Sequence, residues 1–141
     1  MAIQIRAACA IDILSIIEFD EFAGDRKREV EAGTCFVAFN EDKILGYVSY
    51  EPRRLLGQPL LTFVCVRKEF RRQGIALTMV KFIQDRVNST MLLSSTEDWC
   101  VGTQAIFERL GWKKIGEISG VNKDGSAEWF YGIKLRVELD K

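Results

Sequence analysis

The stretch Val66-Arg67-Lys68-Glu69-Phe70-Arg71-Arg72-Gln73-Gly74-Ile75-Ala76 decides the fold of this 141-residue chain. It follows a continuous apolar run, Leu60 to Val66, whose length and composition predict a strand buried on both faces. It precedes apolar residues at helical spacing, which predict a helix over residues 74–89 with an inward stripe of Ile75, Met79, Phe82 and Ile83. The sequence therefore predicts a strand joined to an amphipathic helix by a short basic turn.

This turn has the features of an anion-binding site. Gly74 allows a positive φ and a close approach of the backbone to a ligand. The unpaired N–H groups and the positive end of the helix dipole face outward at a helix start, and Arg71 and Arg72 add charge there. An ordinary solvated turn has the same composition, but the position of the charges at a helix start favours a phosphate ligand.

Two blocks of sequence carry a resemblance to a known family. Arg71-x-x-Gly74-x-Ala76 resembles the pyrophosphate loop of the GCN5-related N-acetyltransferase (GNAT) superfamily, whose pattern is Arg or Gln, two residues, Gly, one residue, then Gly or Ala. Ala105 to Gly116 resembles the superfamily's helix that ends in Tyr-x-x-x-Gly-Phe, with Phe107 in place of the Tyr and Gly111 as a helix stop. The resemblance covers most of the chain, and the N-terminal third matches in outline.

The pattern along the rest of the chain agrees with that superfamily. Predicted strands are Ile3 to Arg6, Cys35 to Phe39, Ile44 to Glu51, Met91 to Ser95, Trp112 to Ile118 and Glu128 to Leu135. Predicted helices are Ile11 to Phe22, with Ile13, Ile16 and Ile17 inward, then Asp25 to Ala32, and residues 101–110. Pro52 to Gln58 is predicted to be a turn into the central strand.

The resulting order βααβββαβαββ is that of the GNAT superfamily. It implies an α/β (α+β) fold with a mixed, mostly antiparallel central sheet, helices on both faces and splayed central strands. Length and the absence of linkers or repeats predict one domain over residues 1–141.

Composition limits the partners and the compartment. Twenty basic residues balance twenty acidic ones, which argues against nucleic acid as the main partner. No stretch is long enough to cross a bilayer, and Asp12 interrupts the apolar run from Ala7 to Ile17, so neither a membrane protein nor a signal peptide is expected. The four cysteines lack the paired spacing of zinc ligands and are expected to be reduced, buried thiols in a cytoplasmic protein without a metal.

The chain contains no histidine, so catalysis by Ser-His-Asp or Cys-His sites and a histidine general base are excluded. Acyl transfer from a thioester to an amine does not require a histidine and therefore stays possible. The resemblance implies an acetyl-CoA-dependent N-acetyltransferase in which a primary amine attacks directly in a ternary complex.

The resemblance also implies where acetyl-CoA binds. It would lie in a notch where the central strand and the strand Met91 to Ser95 splay apart, with backbone groups of Val64, Cys65 and Val66 paired to its pantetheine amides. Its pyrophosphate would be held by Arg71, Arg72, Gln73, Gly74, Ile75 and Ala76. Phe107 stands on the coenzyme side, where many members have the Tyr that protonates the departing thiolate.

The catalytic acid and base are not given by the family pattern. An amine of pKa near 10.4 is only about one part in a thousand neutral at pH 7, a deficit of roughly 4 kcal/mol, so a carboxylate base is expected. The central strand has no Glu; Glu97 is the first substitute and Glu51 the second, although each fits a solvated loop. Tyr131 is the candidate acid, with Tyr47 and Tyr50 behind it, although each also fits aromatic packing.

Three alternatives stay open at this point. The domain could bind an acyl-CoA without catalysis, as a regulatory module, or it could use another acyl group or an oxygen acceptor. The acceptor would contact residues 19–28 and 120–129, where Asp20, Glu21 and Asp25 suit a cationic amine but also suit a surface helix. The aromatic run Trp129-Phe130-Tyr131 equally suits a homodimer interface.

Overall fold

The computed structural model describes residues 2–136, and its elements have the predicted order βααβββαβαββ. The strands are β1 Gln4–Ala7, β2 Cys35–Asn40, β3 Lys43–Leu55, β4 Gln58–Val66, β5 Met91–Glu97, β6 Lys113–Ile118 and β7 Glu128–Lys134. The helices are α1 Asp12–Ile17, α2 Arg26–Ala32, α3 Ile75–Arg86 and α4 Val101–Arg109, and a 3₁₀ turn covers Lys68–Phe70.

These strands form one sheet in the order β1-β2-β3-β4-β5-β7-β6. The pairs β1–β2, β2–β3, β5–β7 and β6–β7 are antiparallel, whereas β4 and β5 are parallel over Leu60↔Leu93 and Leu61↔Ser94. The predicted α/β fold with a mixed, mostly antiparallel sheet is therefore confirmed.

The chain divides into two compact units. The first contains the described residues up to Glu51 together with Thr62–Asp85. A cluster in its core includes Ile16, Val37 and Tyr47, each fully buried. Gly46 of β3 allows a close approach to β4, because a Cβ at this position would lie 2.6 Å from the carbonyl oxygen of Cys65.

The second unit contains Pro52–Leu61 and the described residues from Arg86 onwards. Its longest ladder joins β5 to β7 without interruption from Met91↔Lys134 to Glu97↔Glu128. The β6–β7 ladder has an irregularity between Lys114 and Gly116. The regular β5–β7 ladder fixes which side chains share a face of this part of the sheet.

Helix α1 is shorter than the sequence pattern predicts. The expected helix from Ile11 to Phe22 ends at Ile17, and the Asp20 carboxylate then accepts a hydrogen bond from the backbone N–H of Phe22 at 3.1 Å. A side chain that bonds the backbone two residues on favours a turn over a continuing helix. The prediction that Ile17 faces inward is wrong, since it is 65% exposed, whereas Ile16 is fully buried.

Several further boundaries differ from the prediction, four of them by enough to matter for the fold. The turn expected over Pro52 to Gln58 is shorter than predicted: β3 continues to Leu55, and the turn is Leu56-Gly57, with φ of 52° and 78°. Helix α3 ends at Arg86, three residues before the predicted end at 89. Strand β5 extends to Glu97, and β6 starts at Lys113, one residue after the buried Trp112.

Burial also departs from expectation at two places. The strand β4 is not buried on both faces throughout: Leu61, Cys65 and Val66 are buried, but Thr62, Phe63 and Val64 are half-buried. Of the thiols, Cys35 and Cys65 are buried, Cys100 is half-buried and Cys9 is exposed. Cys9 precedes α1 in a turn, where its N–H and thiol both donate to the Asp12 carboxylate, so it lies outside the core.

Candidate functional site

The turn between β4 and α3 has the backbone geometry of an anion-binding loop. After the 3₁₀ turn, φ is positive at Arg72 (65°) and at Gly74 (79°), and α3 begins at Ile75. A Cβ at Gly74 would meet no atom within 4 Å, so glycine serves the backbone angle here and not the space. The first N–H groups of α3 have no partner inside the helix and point out of its N-terminal end.

The side chain of Arg71 is held beside this turn by two acceptors. Its Nε donates to the carbonyl of Val66 at 3.1 Å, and its Nη2 forms an ion pair with Glu21. Arg72 and Gln73 are exposed, whereas Ile75 is buried and attaches the turn to the core. The turn therefore presents two guanidinium groups, of which that of Arg71 is already paired with a carboxylate.

The last residues of β4 precede this turn. Cys65 and Val66 are buried and Val64 is half-buried. The Cys65 thiol lies 3.6 Å from the Phe19 carbonyl as a donor, and burial raises the pKa of Cys65 above its ordinary value. A buried thiol with a raised pKa stays protonated, so Cys65 is a packing residue and not a nucleophile.

A buried ionic network lies between α2 and the strands of the first unit. Arg26 donates to the Tyr47 hydroxyl and to the Ala23 carbonyl, both at 2.8 Å, and its Nε lies 3.3 Å from Glu29 Oε1. The Tyr47 hydroxyl in turn donates to Asp20 at 2.6 Å. Burial raises the pKa of Glu29 despite the nearby guanidinium, because that ion pair lacks hydrogen-bond geometry.

Sequence reasoning missed this network. Tyr47 is 21 residues from Arg26 and 27 residues from Asp20, so no local pattern joins them. The one local signal is the spacing of Arg26 and Glu29, three residues apart on a short helix.

The three acidic residues expected to suit a cationic acceptor all make contacts inside the protein. Asp20 accepts from the Tyr47 hydroxyl, Glu21 pairs with Arg71, and Asp25 caps α2 by accepting from the N–H of Arg28 at 3.0 Å. Each carboxylate therefore has a structural partner in the first unit.

In the second unit, Glu97 and Tyr131 lie on opposite faces of the β5–β7 pair. Tyr131 is opposite Ser94 in the ladder, and Glu97 is opposite Glu128. Because side chains alternate between faces along a strand, residues 94 and 131 share one face, and residues 97 and 128 share the other. The two candidate catalytic groups are therefore not within reach of each other across this ladder.

Tyr131 packs in an aromatic stack with Phe107. The ring centroids of Phe107 and Tyr131 are 5.1 Å apart, and those of Phe107 and Trp112 are 4.7 Å apart. Phe107 and Tyr131 are each 1% exposed. Burial, and to a smaller extent the Glu108 carboxylate, raises the pKa of Tyr131, so its hydroxyl keeps its proton at neutral pH.

Glu128 is a carboxylate that sequence reasoning did not single out as a candidate base. Its Oε2 accepts from the Ser95 hydroxyl at 2.6 Å and its Oε1 accepts from the Asn122 amide at 3.0 Å. The Glu97 carboxylate, directly across the ladder, has no hydrogen bond or ion pair to another residue among 2–136. Glu128 is fixed by its partners, and Glu97 is the freer of the two carboxylates.

Two other candidates, Glu51 and Tyr50, and the half-buried Cys100 are engaged in packing or pairing. Glu51, the second candidate base, accepts an ion pair from Arg28 at 2.5 Å. The Tyr50 ring stacks at 6.5 Å on Phe36. The Cys100 thiol lies 3.5 Å from the Thr103 hydroxyl at the start of α4.

Within residues 2–136, no group of three or more Cys, Asp or Glu side chains is placed to hold a metal ion. Over the same residues, no helix has the length and apolar character needed to cross a bilayer.

Comparison with protein families gives one match over more than half of the chain. The family described as the acetyltransferase (GNAT) domain matches residues 31–114. No curated protein matches this sequence.

Solved structures with the same fold come from several bacteria. A GNAT-family acetyltransferase from Bacillus cereus is 20% identical, with a TM-score of 0.86 over 96% of this chain and 99% of its own. The ribosomal-protein-S18-alanine N-acetyltransferase of Escherichia coli is 14% identical, with a TM-score of 0.79 over 99% and 97%.

A third structure, assigned as an acetyltransferase from Salmonella typhimurium, contains its cofactor acetyl-CoA. It is 14% identical, with a TM-score of 0.78 over 100% of this chain and 98% of its own. At sequence identities of 14% to 20%, the structural similarity to these three proteins establishes the fold of this chain.

Proposed function

Because this chain belongs to the GNAT acetyltransferase family, we propose that it transfers an acetyl group from acetyl-CoA to a primary amine. The observation that carries this proposal is the turn after β4, where Arg71-x-x-Gly74-x-Ala76 coincides with positive φ at Arg72 and Gly74. The solved relative with bound acetyl-CoA supports the choice of coenzyme.

The coenzyme-binding residues proposed here lie in the first unit, except for Phe107, which lies in the second. The N–H groups at the start of α3 would bind the pyrophosphate, and the guanidinium groups of Arg71 and Arg72 would balance its charge. Val64, Cys65 and Val66 would offer backbone groups to the pantetheine amides, although the Val66 carbonyl already accepts from Arg71.

The proposed reaction is a direct attack of the amine on the thioester. A neutral amine nitrogen forms the new C–N bond to the acetyl carbon, the C–S bond breaks, and the excess proton leaves the nitrogen. The CoA thiolate takes up a proton to leave as the thiol. The residues that assist must therefore remove one proton from nitrogen and supply one proton to sulfur.

We assign these two roles to Glu97 and Tyr131. Glu97 carries a carboxylate without a partner among the described residues, which suits a base acting directly or through water. Tyr131 carries a phenol that is protonated at neutral pH, as an acid must be, although burial raises its pKa and so makes it a weaker proton donor. Because nitrogen and sulfur are bonded to the same carbon during the transfer, groups on opposite faces of the β5–β7 pair could not both contact the reacting atoms directly, so one of the two would act through water.

A specific observation favours the alternative of a non-catalytic acyl-CoA-binding domain. Phe107 replaces the family's Tyr and is fully packed between Trp112 and Tyr131, and β4 supplies no carboxylate. Both the acetyltransferase hypothesis and the regulatory-domain hypothesis require the protein to bind the coenzyme. Only the acetyltransferase hypothesis predicts that CoA is released when an amine is added.

The remaining assignments extend the sequence predictions. We propose a single domain over residues 1–141 that acts in the cytoplasm, where acetyl-CoA and an amine acceptor are its partners. Nucleic acid and membranes are not proposed as partners. Trp129-Phe130-Tyr131 suggested a homodimer interface. Tyr131 is buried within its own chain and cannot contact a second copy, so only Trp129 and Phe130 could contribute to such an interface.

The experiment that tests this proposal is titration calorimetry with acetyl-CoA and with CoA, followed by thiol release in the presence of polyamines, amino acids, aminoglycosides and peptides. Binding with amine-dependent release supports the enzyme. Binding without release across the panel supports the regulatory domain, and no binding overturns the coenzyme site.

A matched pair of variants tests the position of the site. Gly74 and Gly57 have φ of 79° and 78°, and a Cβ would meet nothing within 4 Å at either position. Gly74→Val and Gly57→Val therefore carry the same backbone cost. Gly74→Val should weaken acetyl-CoA binding tenfold or more while Gly57→Val leaves it unchanged, and equal affinities would contradict the placement of the pyrophosphate loop.

A further inference from the structure

The loop between α1 and α2, residues 18–25, carries an exposed aromatic ring. Phe22 lies in this loop, is 44% exposed, and stacks on Phe63 of β4 with ring centroids 5.4 Å apart. Phe63 is half-buried in the middle of its strand. A single exposed phenylalanine is normal on a protein surface, so the position of this aromatic pair relative to the proposed site decides whether it has a role.

The loop is held against β4 by the buried Arg26. The guanidinium lies 4.3 Å from the ring centroid of Phe63, and its Nη2 donates to the Ala23 carbonyl of the loop at 2.8 Å. Gly24, with φ of 122°, allows this close packing, because a Cβ there would lie 2.1 Å from Arg26 Nη2 and 3.2 Å from Phe63 Cε2. A glycine and a buried guanidinium therefore fix the position of the loop and of Phe22.

A buried guanidinium is an unfavourable way to hold a loop if stability is the only result. Arg26 is 6% exposed, and its Nε has no hydrogen-bond acceptor among residues 2–136. Removing a charge from water is unfavourable, and a well-packed apolar side chain often gives equal or greater stability at such a position. This favours a functional reason for fixing the loop.

The proposed coenzyme site places the thioester beside the aromatic pair. The pyrophosphate is proposed at the turn after Val66, and the pantetheine amides are proposed along Val66, Cys65 and Val64, so the coenzyme would run along β4 towards lower residue numbers. The next residue in that direction is Phe63, about 10 Å from Val66 at about 3.3 Å per residue. The thioester follows the second amide of pantetheine and would therefore lie close to Phe63.

An amine would reach this thioester from the side of the loop. Side chains alternate along β4, so Phe63 projects towards the α1–α2 loop and Val64 projects to the other face of the sheet. Helix α3 packs on that other face, where Met79 Cε lies 3.1 Å from the position of a Cβ at Gly46. The free approach to the thioester therefore passes Phe22 and Phe63.

The chemistry of the loop favours an acceptor with an apolar group. The carboxylates of the loop each have a partner within this chain: Glu18, Asp20, Glu21 and Asp25. The exposed ring of Phe22 offers apolar area and not charge. Packing an apolar group on this ring is favourable because it removes apolar surface from water and allows ring contacts.

We propose that the acceptor is a primary amine with an aromatic or aliphatic group a few bonds from its nitrogen, and that this group packs on Phe22 and Phe63. A small alkylamine and the N-terminal residue of a peptide both have this chemistry. The inference rests on the proposed function, because it requires acetyl-CoA to lie along β4.

The test measures kcat/KM for thiol release at saturating acetyl-CoA with two pairs of amines. The small pair is 3-phenylpropylamine and propylamine, and the peptide pair is Leu-Gly-Gly and Ala-Gly-Gly, so the members of each pair differ mainly in apolar size. The larger member should have a kcat/KM at least fivefold higher in one pair or both, which corresponds to about 1 kcal/mol. The pair with the larger ratio identifies the source of the amine.

Variants of the exposed ring test the contact itself. Phe22→Ala should bring the ratio within the responding pair close to one, and Phe22→Leu should lower it less, because leucine keeps an apolar side chain. Loss of folded protein would lower both members equally and leave the ratio unchanged. Leu14→Ala is the matched control, because it removes a 73% exposed apolar side chain from α1, outside the loop, and should keep the wild-type ratio.

The outcomes separate this inference from the proposed function. Equal kcat/KM within both pairs, or a ratio that Phe22→Ala leaves unchanged, overturns the inference while the acetyltransferase stands. No thiol release with any of the four amines also overturns it. Release with the polyamines or aminoglycosides of the wider panel would then retain the acetyltransferase, and no release with any amine would overturn both.

Discussion

At the scale of single residues, Glu21 and the coenzyme phosphates would compete for the same guanidinium. Glu21 is 55% exposed and Arg71 is 41% exposed, so their ion pair is solvated and contributes little to stability. It still occupies the Arg71 side chain at the mouth of the proposed pyrophosphate site. The negative charge of Glu21 therefore opposes the binding of acetyl-CoA phosphates at Arg71, whether or not the ion pair is displaced.

Glu21→Gln should therefore bind acetyl-CoA more tightly than the wild type. A surface ion pair of about 0.5 to 1 kcal/mol predicts a gain of about two- to fivefold in affinity, measured by titration calorimetry. The gain should shrink at high salt, where the pair is screened. Glu18→Gln is the control, because Glu18 pairs with Arg67 and has a similar exposure of 62%. An equal gain in that variant would show a general charge effect and contradict competition for Arg71.

Tyr131→Phe tests the proposed acid. The substitution removes one hydroxyl from a packed ring, so the stack with Phe107 is retained. We expect kcat to fall about tenfold or more, with the Kd for acetyl-CoA unchanged. Tyr50→Phe is the control, because it removes a hydroxyl from another stacked tyrosine. Unchanged turnover in Tyr131→Phe would remove this residue from the mechanism.

At the scale of elements, the β3–β4 hairpin contains a residue unsuited to its turn. Leu56 and Gly57 both have positive φ, as a two-residue turn between antiparallel strands requires, and Leu56 is 93% exposed. A leucine with positive φ is strained, whereas asparagine tolerates this conformation. The Leu56 side chain gains little contact in return.

Leu56→Asn should therefore stabilise the protein by about 0.5 to 1 kcal/mol and raise the Tm by several degrees. Thermal unfolding followed by circular dichroism measures the change. Leu56→Ala is the control, because it removes the exposed side chain and keeps the strained conformation. If Leu56→Ala stabilised the protein as much, the gain would come from removing an apolar surface group and not from the turn.

This hairpin also illustrates what the sequence can and cannot predict. Strand β4 and helix α3 were predictable because apolar runs and helical spacing are local signals. The exact position of the β3–β4 turn was not, because Pro52 signals a turn where the strand continues, and Leu56 gives no turn signal where the strand ends. The end of α1 depends on the Asp20 carboxylate, which bonds a backbone N–H two residues on and so overrides the apolar pattern.

The candidate site likewise contains one feature that neighbouring residues predict and others that depend on residues far apart in the sequence. The proposed pyrophosphate loop consists of six neighbouring residues, and the structure gives Gly74 the expected positive φ, whereas the positive φ of Arg72 was not expected. The Arg71–Glu21 pair joins residues 50 positions apart, and the faces of Glu97 and Tyr131 follow from a ladder register. Neither can be read from local spacing. The roles of Glu97 and Tyr131 therefore stay predictions.

At the scale of the whole molecule, stability should depend on pH through carboxylates, because the chain has no histidine. Hydrogen bonds from Arg6 hold the pKa of Asp12 at about 2, below the ordinary value of 3.8. A lowered pKa means that the unfolded chain binds more protons, so this stability is present above pH 3.8 and is lost as the pH falls towards 2.

Asp12→Asn should accordingly cost about 2 kcal/mol at neutral pH, measured by urea unfolding. The difference from the wild type should disappear as the pH falls towards 2. Asp42→Asn is the control, because Asp42 is an exposed carboxylate without an ion pair to another described residue. A cost that did not change with pH would assign the effect of Asp12→Asn to packing at the start of α1.

Glu29 should act in the opposite direction over a different range of pH. Its carboxylate is 2% exposed, and its Oε1 is 3.3 Å from Arg26 Nε without a hydrogen bond, so burial outweighs the ion pair and raises its pKa above the ordinary value of 4.5. Between pH 4.5 and the folded pKa, the folded protein therefore binds more protons at Glu29 than the unfolded chain does. Its contribution to stability is present below pH 4.5 and is lost as the pH rises through the folded pKa.

Glu29→Gln removes this titration while keeping the shape of the side chain. Its free energy of unfolding, measured in urea from pH 4 to 8, should fall less with rising pH than that of the wild type. Glu31→Gln, an exposed position on the same helix, should follow the wild type. If the wild type and Glu29→Gln had parallel pH profiles, the Arg26 guanidinium would be keeping Glu29 ionised in the folded state, and the network would be a true buried ion pair.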